Sequence, residues 1–246
     1  MLSIKQSKFI KSLKIKKYRT KERCFIAEGK KNVLEAISAN YTFKYLLVTT
    51  SFKQQHSELL QKYEDHLIDV DEKTLVAHGT FKSNQDCLAV LQMPEFEISG
   101  IDFQKDIVVL DGVGDPGNLG TIIRTMDWFG ITNLVCSHDV ADVFNPKVIN
   151  STMGSFTRVK VIYTNLEKFL QDVPLPKIGA DLSGVNLSEW HPKEPVALVM
   201  GSESHGISKS ISKLLTGKVT IPKKGKAESL NVAIATGILC NHLKRL

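Results

Sequence analysis

The sequence has little of what marks a metal centre, a disulfide framework or a membrane span. Its 246 residues include four cysteines, Cys24, Cys87, Cys136 and Cys240, and no two lie close together. That spacing excludes CxxC metal sites, and an even count spread over a chain this long does not by itself make disulfides. Free, buried thiols in a reducing compartment are the expectation. The seven histidines form no HExxH and no zinc-holding spacing, so no metal is expected. His138, beside Asp139 and Asp142, reads as part of a solvated turn. No apolar run approaches the thickness of a bilayer. The N-terminal stretch MLSIKQSKFIKSLKIKKYR is basic but lacks the apolar core and small-residue cleavage site of a secretory signal. A cytoplasmic protein with no membrane partner is expected. There is no internal repeat, and no Walker A pattern, because Lys226 is followed by Ala227.

What is present is an ordinary globular composition, 42% hydrophobic and 24% charged, with a net charge of +6 and a pI near 9.0. The excess is uneven. From Lys5 to Lys31 the cations include Lys8, Lys11, Lys14, Lys16, Lys17 and Arg19, opposed only by Glu22 and Glu28. They alternate with Phe9, Ile10, Leu13 and Ile15, which predicts a helix with an apolar inner face and a basic outer one. Such a face suits nucleic-acid phosphates. A membrane surface suits it less, since the apolar positions are few and none is Trp.

Two halves follow along the chain. Up to Gln92, the runs CFIAEG, YLLVTT, HLIDV and CLAVLQ predict strands, and KKNVLEAISA, FKQQHSELLQKY and DEKTLVAHG predict helices. The alternation predicts a small α/β domain over 1–94, and the aperiodic stretch 95–105 a linker. In 106–246, IVVL, NLVCS, VKVIY, KIGAD, VALVM and KVTIP predict buried strands. NLGTIIRTMDWF, NPKVINSTMG, NLEKFLQD, KSISKLLTG and SLNVAIATGILCNHL predict the intervening helices. The expected class is α/β with a mostly parallel sheet, whose ligands bind beyond the carboxyl ends of the strands. This directs attention to the loops after Leu110, Met200 and Ile221.

The first of these, Asp111-Gly112-Val113-Gly114-Asp115-Pro116-Gly117-Asn118, formally matches the GxGxxG dinucleotide fingerprint between a strand and a helix. Asp139 follows the next strand, where a ribose-binding acid would stand. A pyrophosphate needs backbone N–H donors at the helix start. Asp111 and Asp115 oppose an anion there, and Pro116 removes one donor. The second loop, Gly201-Ser202-Glu203-Ser204-His205-Gly206, brings a carboxylate into a turn whose glycines allow close approach of a ligand. The third, Ile221-Pro222-Lys223-Lys224-Gly225-Lys226-Ala227-Glu228-Ser229-Leu230-Asn231, opens the last helix, which Ser229 or Asn231 caps.

Taken together and in order, these segments resemble the SpoU (TrmH-type) RNA 2′-O-ribose methyltransferases of the SPOUT superfamily. VVLDGVGDPGNLGTIIRTMDWFG is similar to that family's first motif, ALVMGSESHGIS to the second and IPKKGKAESLNVAIATGILCNHL to the third. NPKVINSTMGSF resembles a family segment between the first two. FIKSLKIKKYRTKERCFIAEGKKNVLEAI resembles the ribosomal-protein-like RNA substrate-binding domain that often precedes the methylase. The resemblance implies a C-terminal trefoil knot, a homodimer, S-adenosylmethionine as cofactor and structured RNA as partner, ribosomal RNA before transfer RNA. It implies a catalytic set of Asn118, Arg124, Glu203, Ser229 and Asn231. It places the cofactor against Met200, Gly201, Glu203, Ile221, Pro222, Ser229 and Leu230. RNA would meet Arg124 and the N-terminal cations Lys8, Lys11, Lys14, Lys16, Lys17 and Arg19.

The chemistry agrees with that set. A 2′-hydroxyl is a weak acid, so methyl transfer needs orientation and removal of a proton. The family's proposed base is Arg124, assisted by an RNA phosphate; a guanidinium, charged below about pH 12, suits a bidentate phosphate clamp better. The chain departs from the family pattern at Ser202, usually Asn, and at Asn150, usually Arg. A transfer RNA methylase, a base methylase, a nicotinamide-dependent oxidoreductase and a non-catalytic RNA-binding relative are the alternative readings.

Overall fold

The computed structural model describes residues 2–244. The chain forms two compact units, one holding the chain through Glu95 together with Asp142–Thr157, the other Phe96–Ala141 and the chain from Arg158 onward. No helix among the described residues is long and apolar enough to cross a membrane. The four cysteines are free and buried, and burial pushes each thiol above its ordinary range.

The first unit begins with α1 (Ile4–Ser12) and α2 (Lys16–Glu22), followed by β1 (Cys24–Glu28), α3 (Lys30–Ser38) and β2 (Phe43–Val48). Then come α4 (Thr50–Gln55), α5 (Ser57–Leu60), β3 (Leu67–Asp69), α6 (Glu72–His78) and β4 (Cys87–Gln92). The strand order is β1-β4-β2-β3, antiparallel except for β2 with β3. Local chemistry sets the boundaries. Ser3 and Gln6 form a reciprocal capping box at the start of α1. The basic stretch expected as one helix breaks after Leu13: Ile10 and Leu13 are buried, but Ile15 is the exposed first cap of α2. The helix expected over FKQQHSELLQKY likewise breaks at His56, whose φ of −124° leaves the helical region.

Lys8, Lys11, Lys14, Lys16 and Lys17 are exposed. Arg19, expected beside them as an RNA contact, is not: only 1% of it is exposed. Its guanidinium donates to Asp142 Oδ2 from Nη2 at 2.6 Å and from Nε at 3.2 Å, and to the Leu13 carbonyl at 2.8 Å. Asp142 is therefore the partner of a buried cation rather than part of a solvated turn. Glu28 is equally buried and accepts from the Thr80 and Phe81 backbone N–H groups at 2.7 and 3.0 Å. Asn150, at the position where the family usually has Arg, donates to Thr80 Oγ1 at 2.9 Å.

The second unit begins with β5 (Ile107–Asp111), α7 (Pro116–Trp128) and β6 (Asn133–Cys136). The chain then contributes α8 (Pro146–Thr152) to the first unit, where Ile149 and Phe156 join the core around Phe25. The second unit resumes with β7 (Lys160–Tyr163), α9 (Leu166–Asp172), β8 (Lys177–Asn186), β9 (Ala197–Gly201), α10 (Lys209–Ser212), β10 (Gly217–Thr220) and α11 (Val232–Leu243). Its six strands run β10-β8-β9-β5-β6-β7, each parallel to its neighbours. That is the parallel α/β sheet expected, and β5, β6 and β9 are buried almost throughout, as a doubly covered sheet requires. Phe96, Ile101 and Phe103, from the stretch between the two halves, pack on this unit's core.

Two features were not visible in the sequence pattern. β8 extends well past KIGAD to Asn186 and pairs with β10 in two separate stretches, so Ala180–Gly184 bulges out of the ladder. Gly184 lets the chain back in, since a Cβ there would lie 2.5 Å from the Val219 nitrogen. The helix expected over KSISKLLTG shrinks to Lys209–Ser212.

Replacing Arg19 with Ala strands the Asp142 carboxylate in a largely buried position. It should cost about 3–5 kcal/mol of stability, the usual cost of breaking a buried pair from one side. Denaturant titration of Arg19→Ala, Asp142→Ala and the double variant checks this. The double variant should recover part of the loss, and strict additivity would refute the pairing energy.

Candidate active site

The three polar loops emerge from the carboxyl ends of β5, β9 and β10. In the first, Gly112 takes φ +73°, a conformation that favours glycine, and its N–H donates to Ser137 Oγ at 3.0 Å. Ser137 in turn donates to Asp139. Asp115 caps α7 by accepting from the Asn118 N–H at 2.8 Å, with Pro116 following in the first turn. Asp111 Oδ2 accepts from the Ser208 N–H at 2.7 Å, joining the first loop to the end of the second. Gly112's N–H and both carboxylates of this GxGxxG segment are thus committed inside the protein, which leaves a poor cradle for a pyrophosphate.

The second loop is a tight turn in which Ser202 and Gly206 exchange two backbone hydrogen bonds, 2.9 and 3.1 Å long. Gly201 is required by the close approach, since a Cβ there would sit 2.1 Å from the Gly206 carbonyl carbon. Ser202 Oγ accepts from the His205 N–H at 3.2 Å, so the serine that replaces the family's Asn still braces the turn. His205 is exposed and bonded to its neighbour Ser204.

Asn118 links all three loops. Its Nδ2 donates to Glu203 Oε1 in the second loop, and its Oδ1 accepts from Asn231 Nδ2 at 2.9 Å, at the end of the third. Asn231 Oδ1 caps α11 by accepting from the Ala233 and Ile234 N–H groups at 2.9 and 3.3 Å. Arg124, less than two turns along α7 from Asn118, is exposed. It has no hydrogen-bond or ion-pair partner among the described residues. Asp127, one turn further on, is held by a forked pair with Arg158 at 2.8–3.0 Å.

Beside the second and third loops lies a cavity of about 570 Å³, within the range of small-molecule sites. Met200, Gly201, Glu203, Ile221, Pro222, Ser229 and Leu230 all lie in its wall, and none of Gly112–Asn118 does. The structure therefore brings Asn118, Glu203 and Asn231 together by hydrogen bonds and sets Ser229 with Glu203 on the cavity. Arg124 stands apart on α7. The β8 bulge adds Ala180, Asp181 and Leu182 to the wall, and α11 adds Val232, Ala235 and Leu239. Sequence reasoning missed these. The one available signal was the pair of glycines, Gly179 and Gly184, bracketing the bulge. Asp181 is held down to about 2 by hydrogen bonds from Ser183 and by Lys218, 2.9 Å away.

Residues 105–241 match the SpoU rRNA Methylase family, and residues 5–89 match the MRM3-like substrate binding domain. The 23S rRNA (guanosine(2553)-2'-O)-methyltransferase of Bacillus subtilis (strain 168) is 32% identical over 240 residues, 95% of this chain and 94% of that protein. Among solved structures, a TrmH-family protein from Porphyromonas gingivalis superposes with a TM-score of 0.87 at 36% identity, covering 100% of this chain and 99% of that one. An AdoMet-bound rRNA methyltransferase from Sinorhizobium meliloti superposes with a TM-score of 0.90 at 29% identity, covering 100% and 97%.

Gly201→Ala drives a methyl group into the Gly206 backbone, a rigid obstacle. The turn must open to admit it, with a loss of about 1–3 kcal/mol by the usual cost of overpacking. Thermal melting and proteolysis mapping should show that loss together with new cleavage between Ser202 and Ser208. Wild-type melting with an uncut loop would refute the assignment.

Proposed function

This chain belongs to the SpoU rRNA methylase family, and on that premise we propose that it transfers a methyl group from S-adenosylmethionine to the 2′-hydroxyl of a ribose in ribosomal RNA. The observation that carries the proposal is the hydrogen-bonded chain Glu203–Asn118–Asn231. It ties a cavity fit for a small cofactor to the helix that presents Arg124.

The wall residues fit S-adenosylmethionine. Met200, Ile207, Leu230, Val232 and Leu239 offer apolar surface for a purine and a methylene chain. Carboxylates and ammonium groups both stand in the wall, Glu203 and Glu228 with Lys223 and Lys224, as suits a ligand that carries charges of both signs. When bound, the cofactor supplies a methyl group activated by a positive sulfur. Met200, Gly201, Ile221, Pro222, Ser229 and Leu230 would hold it.

The protein's own part is mostly alignment. Asn231, fixed as a helix cap, orients the Asn118 amide, and that amide fixes the Glu203 carboxylate. Asn118 and Glu203 thereby act as positioning residues for one another across two loops. Arg124 carries an uncompensated charge on a rigid helix, an arrangement suited to a bidentate grip on an RNA phosphate. Holding that phosphate fixes the adjoining ribose, and a well-aligned hydroxyl gains much of the acceleration that proximity offers. Lys8, Lys11, Lys14, Lys16 and Lys17 supply further exposed cations for the RNA backbone. The family's description and the Bacillus relative's name favour ribosomal over transfer RNA. A cytoplasmic location and a trefoil knot belong to the same reading.

A homodimer belongs to it too. α11 packs on α7, with Asn231 bonded to Asn118 at one end and Gly237 facing Thr125 further along, so the two helices run in parallel. Ile234 on α11 is 57% exposed and Trp128 at the end of α7 85% exposed, apolar area that a second copy would cover. Trp128→Glu should convert a dimer to a monomer in analytical ultracentrifugation. A wild-type protein that sediments as a monomer refutes the dimer.

The function is tested by labelled methyl transfer to total RNA from cells lacking the protein, followed by mapping. The product should resist alkaline cleavage at one ribosomal position. A methylated base, or label confined to transfer RNA, would overturn the ribose or the ribosomal assignment respectively. Arg124→Lys should lower kcat/KM by at least about tenfold, since a bidentate charged contact typically contributes 1.5–3 kcal/mol. Near-full activity would remove Arg124 from the mechanism.

A further inference from the structure

The third loop carries cations that the cofactor contacts proposed above do not use. Residues Pro222–Leu230 are all exposed and contain Lys223, Lys224 and Lys226, opposed only by Glu228 in the same stretch. None of these nine residues makes a hydrogen bond or ion pair within the protein, among the described residues. Yet the segment forms one wall of the cavity, through Pro222, Lys223, Lys224, Gly225, Ala227, Glu228, Ser229 and Leu230. It is anchored at one end by β10 and at the other by the Asn231 cap of α11.

A stretch with few internal bonds sits at the low end of local stability. A ligand that touches it contributes to ordering it, and two ligands that order the same segment assist each other. Three lysines in four positions, with no internal partner, are the charge pattern of a phosphate contact. An isolated anion is not indicated, because nothing encloses the ammonium groups; an extended polyanion can bridge them.

Resting on the RNA methyltransferase reading, we propose that Lys223, Lys224 and Lys226 form a second RNA-phosphate grip, distinct from Arg124 and from the N-terminal lysines. Through their shared loop, this grip couples RNA binding to cofactor retention. RNA held by these lysines keeps the loop down on the ligand in the cavity, and by reciprocity the cofactor tightens RNA binding by the same factor.

The test compares wild type with K223Q/K224Q/K226Q and the charge-preserving K223R/K224R/K226R. A fluorescein-labelled RNA hairpin is titrated at several salt concentrations, and S-adenosylhomocysteine, which has no methyl to transfer, is titrated with and without that hairpin. The Gln variant should show a log–log salt slope shallower by about 2–3, one per lost phosphate contact, while the Arg variant keeps the wild-type slope. The hairpin should raise S-adenosylhomocysteine affinity several-fold in wild type and less than about twofold in the Gln variant, the measure of lost coupling. An unchanged slope in the Gln variant overturns the grip, and a cofactor affinity indifferent to RNA in wild type overturns the coupling. Parallel methyl-transfer assays separate the two claims: labelled RNA with an unchanged slope sinks the grip alone, whereas no labelled RNA sinks the enzymatic reading.

Discussion

The carboxamide of Asn118 is the joint on which the site depends. An amide carries a donor and an acceptor on one rigid plane, so it can bond a carboxylate on one side and a second amide on the other. Here it takes Glu203 from the second loop and Asn231 from the third. Each partner is itself fixed by backbone: Glu203 lies in a turn closed by Ser202 and Gly206, and Asn231 caps α11. Asn118's own backbone is held by Asp115. Loops whose joining residues stand 85 and 113 positions from Asn118 in the chain are thereby kept in register by side chains that have little freedom left.

Charge is treated in two opposite ways in the same molecule. Arg19 is sealed in the first unit, where Asp142 and a carbonyl satisfy its guanidinium, and there it serves cohesion. Arg124 and the third-loop lysines have no internal partner among the described residues and are exposed. The difference lies in the partner, not the residue type: a buried cation requires a counter-charge, and a cation left without one is available to a polyanion. Asp127 illustrates the sorting, since its pairing with Arg158 engages a carboxylate that lies within one helical turn of Arg124.

Much of this was legible in the sequence. The buried strands β5, β6 and β9 read directly from apolar runs, and α7 was expected from Asn118 but begins two residues earlier, at Pro116 behind the Asp115 cap. The three loops were legible as motifs. What escaped reading depends on contacts distant in the chain. Nothing local distinguishes Arg19 from Lys16 or Lys17; its burial comes from Asp142, 123 residues away. The breaks after Leu13 and at His56 interrupt segments with continuous helical periodicity. The Ala180–Gly184 bulge arises because β10 pairs with β8 in two stretches, a register that only the partner strand specifies. The bond-free character of Pro222–Leu230 was likewise hidden, because polarity alone does not reveal whether a loop is tied down.

The placement of Asp142–Thr157 bears on how the chain comes to be folded. A polypeptide is made from its N-terminus, and compact units ordinarily close as they emerge. The first unit is denied that order: its core around Phe25 waits for Ile149 and Phe156, and Arg19 waits for Asp142. When Glu95 has been made, the early unit still has an open apolar face and an uncompensated guanidinium. It is completed only after the ribosome has also delivered β5, α7 and β6 of the other unit. Completion of the first unit is thus interleaved with the other rather than sequential, and a chain ending near residue 95 lacks the residues that cover this apolar face.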